Sequence, residues 1–149
     1  MPEDLINIPL LGMSIYCADN QIFNLIPTDY DPHFGLGGII LQQTSIGDDP
    51  RPAHIDENNW EFIKDKKIVE YEIFENTYQI GGEKIVIPFG IKLEFENKMM
   101  LYVLNIGIES YSESEHKYEF ARGGEDLTIF FDDKIIKEYG ILSDSITKL

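Results

Sequence analysis

"GIKLEFENKMMLYVLN", residues 90–105, decides the architecture of this chain. In its first half Ile91, Leu93 and Phe95 alternate with Lys92, Glu94 and Glu96. A period of two belongs to a strand with one buried face and one wet face. The second half abandons the alternation, because every position from Met99 to Leu104 is apolar. A strand apolar on both faces lies inside a sheet and is covered from both sides. Asn97-Lys98 supplies the turn between the halves. The expectation is a hairpin whose return strand is central, with a second layer of the same chain lying over it.

Strand patterns continue on either side. "MSIYCADNQIFNLI" (13–26) reads as a hairpin turning at Asp19-Asn20, which would set Cys17 opposite Ile22 and Tyr16 opposite Phe23. "NTYQIGGEKIVIP" (76–88) reads as another, with Gly81-Gly82 providing the positive φ that a two-residue turn demands. Further strands are expected at 38–44, 68–74, 117–121 and 127–131. Polar, turn-rich connections separate them: "TDYDPHFGLG" (28–37), "SIGDDPRPAHIDEN" (45–58) and "ESYSESEH" (109–116). Helical signals are confined to "NNWEFIKDKK" (58–67) and to the stretch after residue 131. There Asp132 or Asp133 fits an N-cap, Ile135, Ile136 and Tyr139 recur at helical spacing, and Gly140 fits the terminating position. Capping therefore accounts for the adjacent carboxylates without metal chemistry. No shift of composition marks a boundary within residues 1–149, which read as a single domain. The expected fold is mainly β, a β-rich α+β domain. Antiparallel hairpins would form a two-layer sandwich or partly open barrel with one or two short helices.

Apolar residues make up 43% of the chain and aromatics 12%, enough for a substantial core. The charge is far from balanced. Twelve Lys and Arg stand against 27 Asp and Glu, a formal net charge of -15. The first fifty residues hold seven acids and no Lys or Arg, since the first basic residue is Arg51. Such a field opposes nucleic acid and anionic lipid, which are bound through cationic contacts to phosphate. It favours encounter with basic protein surfaces. The opening "MPEDLINIPLLG" lacks the basic and long apolar regions of a secretory signal. No apolar run reaches the ~18 residues of a membrane-spanning helix. Cys17, the one cysteine, fits a reducing compartment. The expected location is the cytoplasm.

Chemistry-bearing patterns are sparse. His33, His54 and His116 each lie in an expected loop, without the spacing that zinc ligands show. "DYDPHFGLGG" begins like a calcium loop with Asp29 and Asp31. Pro32 interrupts it, however, and Ile40 stands where a bidentate Glu belongs. Cys17 has no neighbouring cation to lower its pKa. G-x-S-x-G, Walker-type and G-x-G-x-x-G patterns are missing. With 27 acids, chance carboxylate pairs carry no information about glycoside cleavage. The expectation is a protein that is not an enzyme and holds neither cofactor nor metal.

A small acidic strand-rich chain in which "IPFGIKLEFENKMMLYVLN" (87–105) is followed by an acidic loop and "GGEDLTIFFDDKIIKEYGI" (123–141) resembles the immunity proteins of bacterial polymorphic-toxin and contact-dependent inhibition systems. That resemblance implies a cytoplasmic inhibitor of a cognate, basic protein toxin. The partner-binding candidates are the acids and aromatics of the polar connections: Asp29, Tyr30, Asp31, Phe34, Asp48, Asp49, Asp56, Glu109, Tyr111, Glu113, Glu115 and Tyr118. The aromatics would anchor and the acids would steer. Two other readings stand beside this one. Eight Tyr and nine Phe would suit a sandwich or barrel that binds a small hydrophobic or carbohydrate ligand. Dispersed acids and histidines would suit an enzyme if the fold brought them together.

Overall fold

The computed structural model describes residues 5–8, 13–17, 21–31, 36–45, 62–122, 126–142 and 146–148. The strands are β1 (Leu5–Ile8), β2 (Met13–Tyr16), β3 (Gln21–Asp31), β4 (Leu36–Ser45), β5 (Ile68–Ile80) and β6 (Glu83–Phe95). They continue with β7 (Met100–Leu104), β8 (Ile106–Ser112), β9 (Lys117–Arg122), β10 (Leu127–Phe130) and, after the helix α1 (Lys134–Glu138), β11 (Ile146–Lys148).

The doubly apolar segment is β7, and it lies where its composition requires. The larger sheet runs β1-β10-β7-β6-β5-β11, which leaves β7 with a strand on each side. Leu101 and Val103 point into a core shared with Leu25 of β3 and Ile39 of β4, from the smaller sheet β2-β3-β4. Tyr102 and Leu104 point the other way, into a core closed by Ile106, Tyr118, Ile135, Ile136 and Ile141. The two sheets form a sandwich, and the hairpin β8–β9 with α1 covers the large sheet's second face. None of the described sheets closes into a barrel. Between the cores β10 is buried at all four positions. Its Thr128 donates from Oγ1 to the Ile106 carbonyl at 2.7 Å. Burial pushes the Tyr102 hydroxyl pKa up, against the pull of the Lys92 ammonium 5.7 Å above its ring.

The hairpin registers depend on which turns contain glycine. Gly81 and Gly82 take φ of 56° and 85°, and Ile80 faces Glu83 across the expected two-residue turn. Asn97-Lys98 does not form such a turn. Phe95 instead pairs with Met99 across residues 96–98, its N–H donating to the Met99 carbonyl at 2.9 Å. A primed two-residue turn needs positive φ at both centres. The three-residue link needs it once, and Lys98 provides it at 65°. The slip of one residue matters. It sets Leu93 opposite Leu101 and Ile91 opposite Val103, so apolar partners share the inter-sheet face. The first hairpin is corrected in the same sense. Tyr16 stands opposite Ile22, not Phe23, and the Cys17 N–H reaches the Gln21 carbonyl.

Two bulges shape the long pair β5–β6. At one, Phe89 is an extra residue between Gly90, opposite Phe74, and Pro88, opposite Glu75. The bulge re-aims Phe89 onto the helix-side core, where its ring lies 6.2 Å from that of Phe74. Pro88, which has no N–H to give, lies beyond the β7 pairing that ends at Gly90. A further departure from the antiparallel expectation is β11, which runs parallel to β5 from Thr77 to Gln79. Of the first expected helical stretch, the described part runs from Phe62 to Lys67, and residues 62–65 form a turn instead of a helix. It contributes Ile63 to the inter-sheet core.

The acid pair before α1 divides its work. Asp132 Oδ1 accepts from the Lys134 N–H at 2.9 Å, whereas Asp133, at the cap position, makes no side-chain capping bond. Asp133 instead pairs with Lys137 one turn on, at 2.6 Å. The hydrogen bond from Lys137 holds its carboxyl below the usual range. Any stability from that depression is present above the unfolded carboxylate pKa and lost as pH falls through the lowered value. At the other end Gly140, with φ of 59°, donates to the Lys137 carbonyl and Ile141 to that of Ile136. This double closure places Ile141 in the core. Asp132→Ala, which removes that hydrogen bond to the Lys134 N–H, should cost about 0.5–1.5 kcal/mol by urea unfolding. Asp133→Ala should cost less, since an exposed i,i+4 pair contributes little. Equal effects would overturn this division.

Candidate interaction surface

"ESYSESEHKYEF" (109–120) occupies most of the β8–β9 hairpin. The expectation of a loop over 109–116 is corrected, because strand pairing runs to Ser112 opposite Lys117 and leaves only residues 113–116 as turn. Its polarity reflects a strand pair with one solvated face. The tip is closed by local bonds. The Glu115 N–H donates to Ser112 Oγ at 3.3 Å, and His116 takes a φ of 52°. A bulge between Ile108 and Ser110 leaves Glu109 unpaired in the ladder and exposed.

The two faces of this hairpin differ in kind. On the inner face Tyr111 and Tyr118 pair across the strands, with ring centroids 4.6 Å apart. Phe120 lies 5.3 Å beyond Tyr118 and meets Tyr139, from the end of α1, edge-on at 5.3 Å. Tyr139 also accepts the Tyr118 N–H at 2.9 Å on its hydroxyl oxygen. Contacts of this type add about 0.5–1.5 kcal/mol per pair beyond area burial. They fix the hairpin against the helix. Glu109, Glu113, Glu115 and Glu119 are all exposed, with Lys117 the only cation in the segment. Among the described residues none of the four glutamates joins an ion pair. The result is a negatively charged exposed surface on a hairpin packed against the core.

The candidate residues separate by place. Glu109 at the bulge and Glu113 and Glu115 in the turn are all exposed, and Tyr111 is half-buried. Tyr118 is only 7% exposed and acts as part of the base rather than as a projecting group. Asp29, Tyr30 and Asp31 fall within β3, not in the expected connection. Asp29 pairs with Gly37 and Asp31 with Leu36, across a register shift at Tyr30. Phe34, Asp48, Asp49 and Asp56 lie outside the described residues, as do His33 and His54. Glu119, opposite Ser110, is exposed as well.

Sequence patterning did not single out the outer end of β5. Val69, Tyr71 and Ile73 are exposed there, alternating with exposed Glu70 and Glu72. The alternation is visible in the chain, but it does not say which face stays uncovered. Among the described residues no group of three or more His, Cys, Asp or Glu is placed to hold a metal ion. No described helix is long and apolar enough to cross a membrane. Comparison of the chain with protein-family models, with curated proteins and with solved structures returned no match.

Proposed function

We propose that this chain is a non-enzymatic acidic binding protein of the immunity kind, acting in the cytoplasm by blocking a cognate basic protein toxin. One observation carries the reading. The chain has a net charge of -15, and the β8–β9 hairpin presents four exposed glutamates on a base of packed aromatic rings. Carboxylates carried on a hairpin already packed in place would meet a cationic cleft with less ordering cost than a disordered segment would. On such a cleft the carboxylates would take the positions of an anionic substrate's charged groups. Long-range attraction then speeds encounter, and a partly buried aromatic such as Tyr111 slows release.

The test is recovery of a basic partner from the native cell, followed by binding kinetics at two salt concentrations. Glu113→Gln with Glu115→Gln should slow association and flatten its salt dependence, leaving dissociation nearly unchanged. Tyr111→Ala should instead hasten dissociation. Failure to recover a basic partner would remove the reading. So would affinity indifferent to salt and to the hairpin acids.

A further inference from the structure

The second surface is the outer edge of β5. β6 pairs with β5 along its whole length on one side, while on the other β11 meets only Thr77 to Gln79. Among the described residues no strand pairs with that side of β5 from Ile68 to Glu75. A strand edge of that length, roughly 26 Å at about 3.3 Å per residue, presents unpaired backbone donors and acceptors.

Its side chains sort by face. Tyr71 and Ile73 stand opposite Leu93 and Ile91, on the face where the smaller sheet packs. β4 packs over β6, while beside it Tyr71 is 67% exposed and Ile73 41%. They form an apolar ledge next to the sandwich. Val69, an extra residue in the register between Ile68 and Glu70, is also 58% exposed. On the opposite face Glu70 stands directly across from Glu94, and Glu72 across from Lys92. Like charges directly opposed in a ladder are destabilising. A cation arriving on the free side of Glu70 would relieve that repulsion.

We infer that the β5 edge receives an extended segment of a basic partner protein as an added strand, with alternate apolar residues on the Tyr71–Ile73 ledge and Lys or Arg beside Glu70 and Glu72. The mode is strand addition, in which backbone bonds give affinity and alternate side chains give selectivity. Charge decides the occupant. A second copy of this edge would set glutamate against glutamate, whereas an alternating basic strand meets complementary groups on both faces. The inference deepens the reading of an acidic inhibitor and rests on it for the partner's identity, though not for the chemistry of the edge.

The test uses the full chain and an eight-residue peptide alternating lysine with valine, together with its counterpart carrying glutamate for lysine. Amide hydrogen exchange should slow at residues 68–75 with the lysine peptide and not with the glutamate peptide. Tyr71→Ser with Ile73→Ser, and separately Glu70→Gln with Glu72→Gln, should each weaken binding at least tenfold. All four side chains are exposed, and unchanged circular dichroism checks that the fold is retained. Protection elsewhere, none at all, or equal binding of both peptides would overturn the inference. A dimer of the free protein that Tyr71→Ser with Ile73→Ser dissolves would do the same, in favour of a second copy. Two outcomes separate this inference from the functional reading. A basic partner whose affinity depends on the hairpin but not on β5 leaves the inhibitor reading standing and removes the edge. Peptide protection at β5 with no basic partner recovered does the reverse.

Discussion

Leu104→Ala should destabilise the protein by about 2–5 kcal/mol, and Leu101→Ala by a comparable amount. The two side chains point to opposite faces of β7, and each is almost wholly buried. Leu104 fills the core beneath α1 and the β8–β9 hairpin, while Leu101 fills the core between the two sheets. Truncation removes transfer free energy and leaves a cavity that a strand hydrogen-bonded on both sides cannot close. Domains of this size are stable by only about 5–15 kcal/mol, so either change takes a large share. Urea unfolding followed by circular dichroism should show lower midpoints with an unchanged slope. The pair tests the architecture as well as the packing. A cost of less than about 1 kcal/mol for Leu104→Ala, with Leu101→Ala still expensive, would mean that the helix and hairpin do not seal the second face. The account of β7 as a strand covered on both sides would then fail.

Gly90→Ala is the second expected large effect, and its sign is the informative part. Replacing glycine by alanine inside an ordinary strand stabilises by about 0.5–1 kcal/mol, through lost freedom in the unfolded chain. Here Gly90 pairs with Leu104. A Cβ at residue 90 would run into the Leu104 side chain and come within 3.1 Å of the Val103 carbonyl oxygen. The backbone oxygen cannot swing aside as a side chain can. Overpacking of this kind costs about 1–3 kcal/mol. Combining Gly90→Ala with Leu104→Ala should recover part of the loss, since the shortened side chain no longer meets the added methyl. Non-additivity of about 0.5–3 kcal/mol is the expected signature of direct contact. A neutral or stabilising Gly90→Ala would refute the close approach of β6 and β7 at this point.

The amino-acid order alone was enough for the strand-rich class, the central place of residues 100–104, the Gly81-Gly82 turn and the α1 stop at Gly140. Each rests on local chemistry: apolar character on both faces, a period of two, positive φ available to glycine. The negative charge was equally legible, because a sum over ionisable residues needs no fold. Tertiary structure settled what local chemistry leaves degenerate. The hairpin at residues 96–98 could turn over two residues or three, and burial of Leu93 against Leu101 selects three. Polarity at 109–116 suited a loop as well as a half-solvated strand, and packing of Tyr111 on Tyr118, and of Tyr118 on Tyr139, selects the strand. Asp29 and Asp31 read as a connection until their pairing with β4 placed them in β3. The ledge at Tyr71 and Ile73 shows the limit most clearly. Alternation tells which side chains share a face, but whether that face meets another layer or solvent depends on how far the smaller sheet extends, a property of residues remote in the chain.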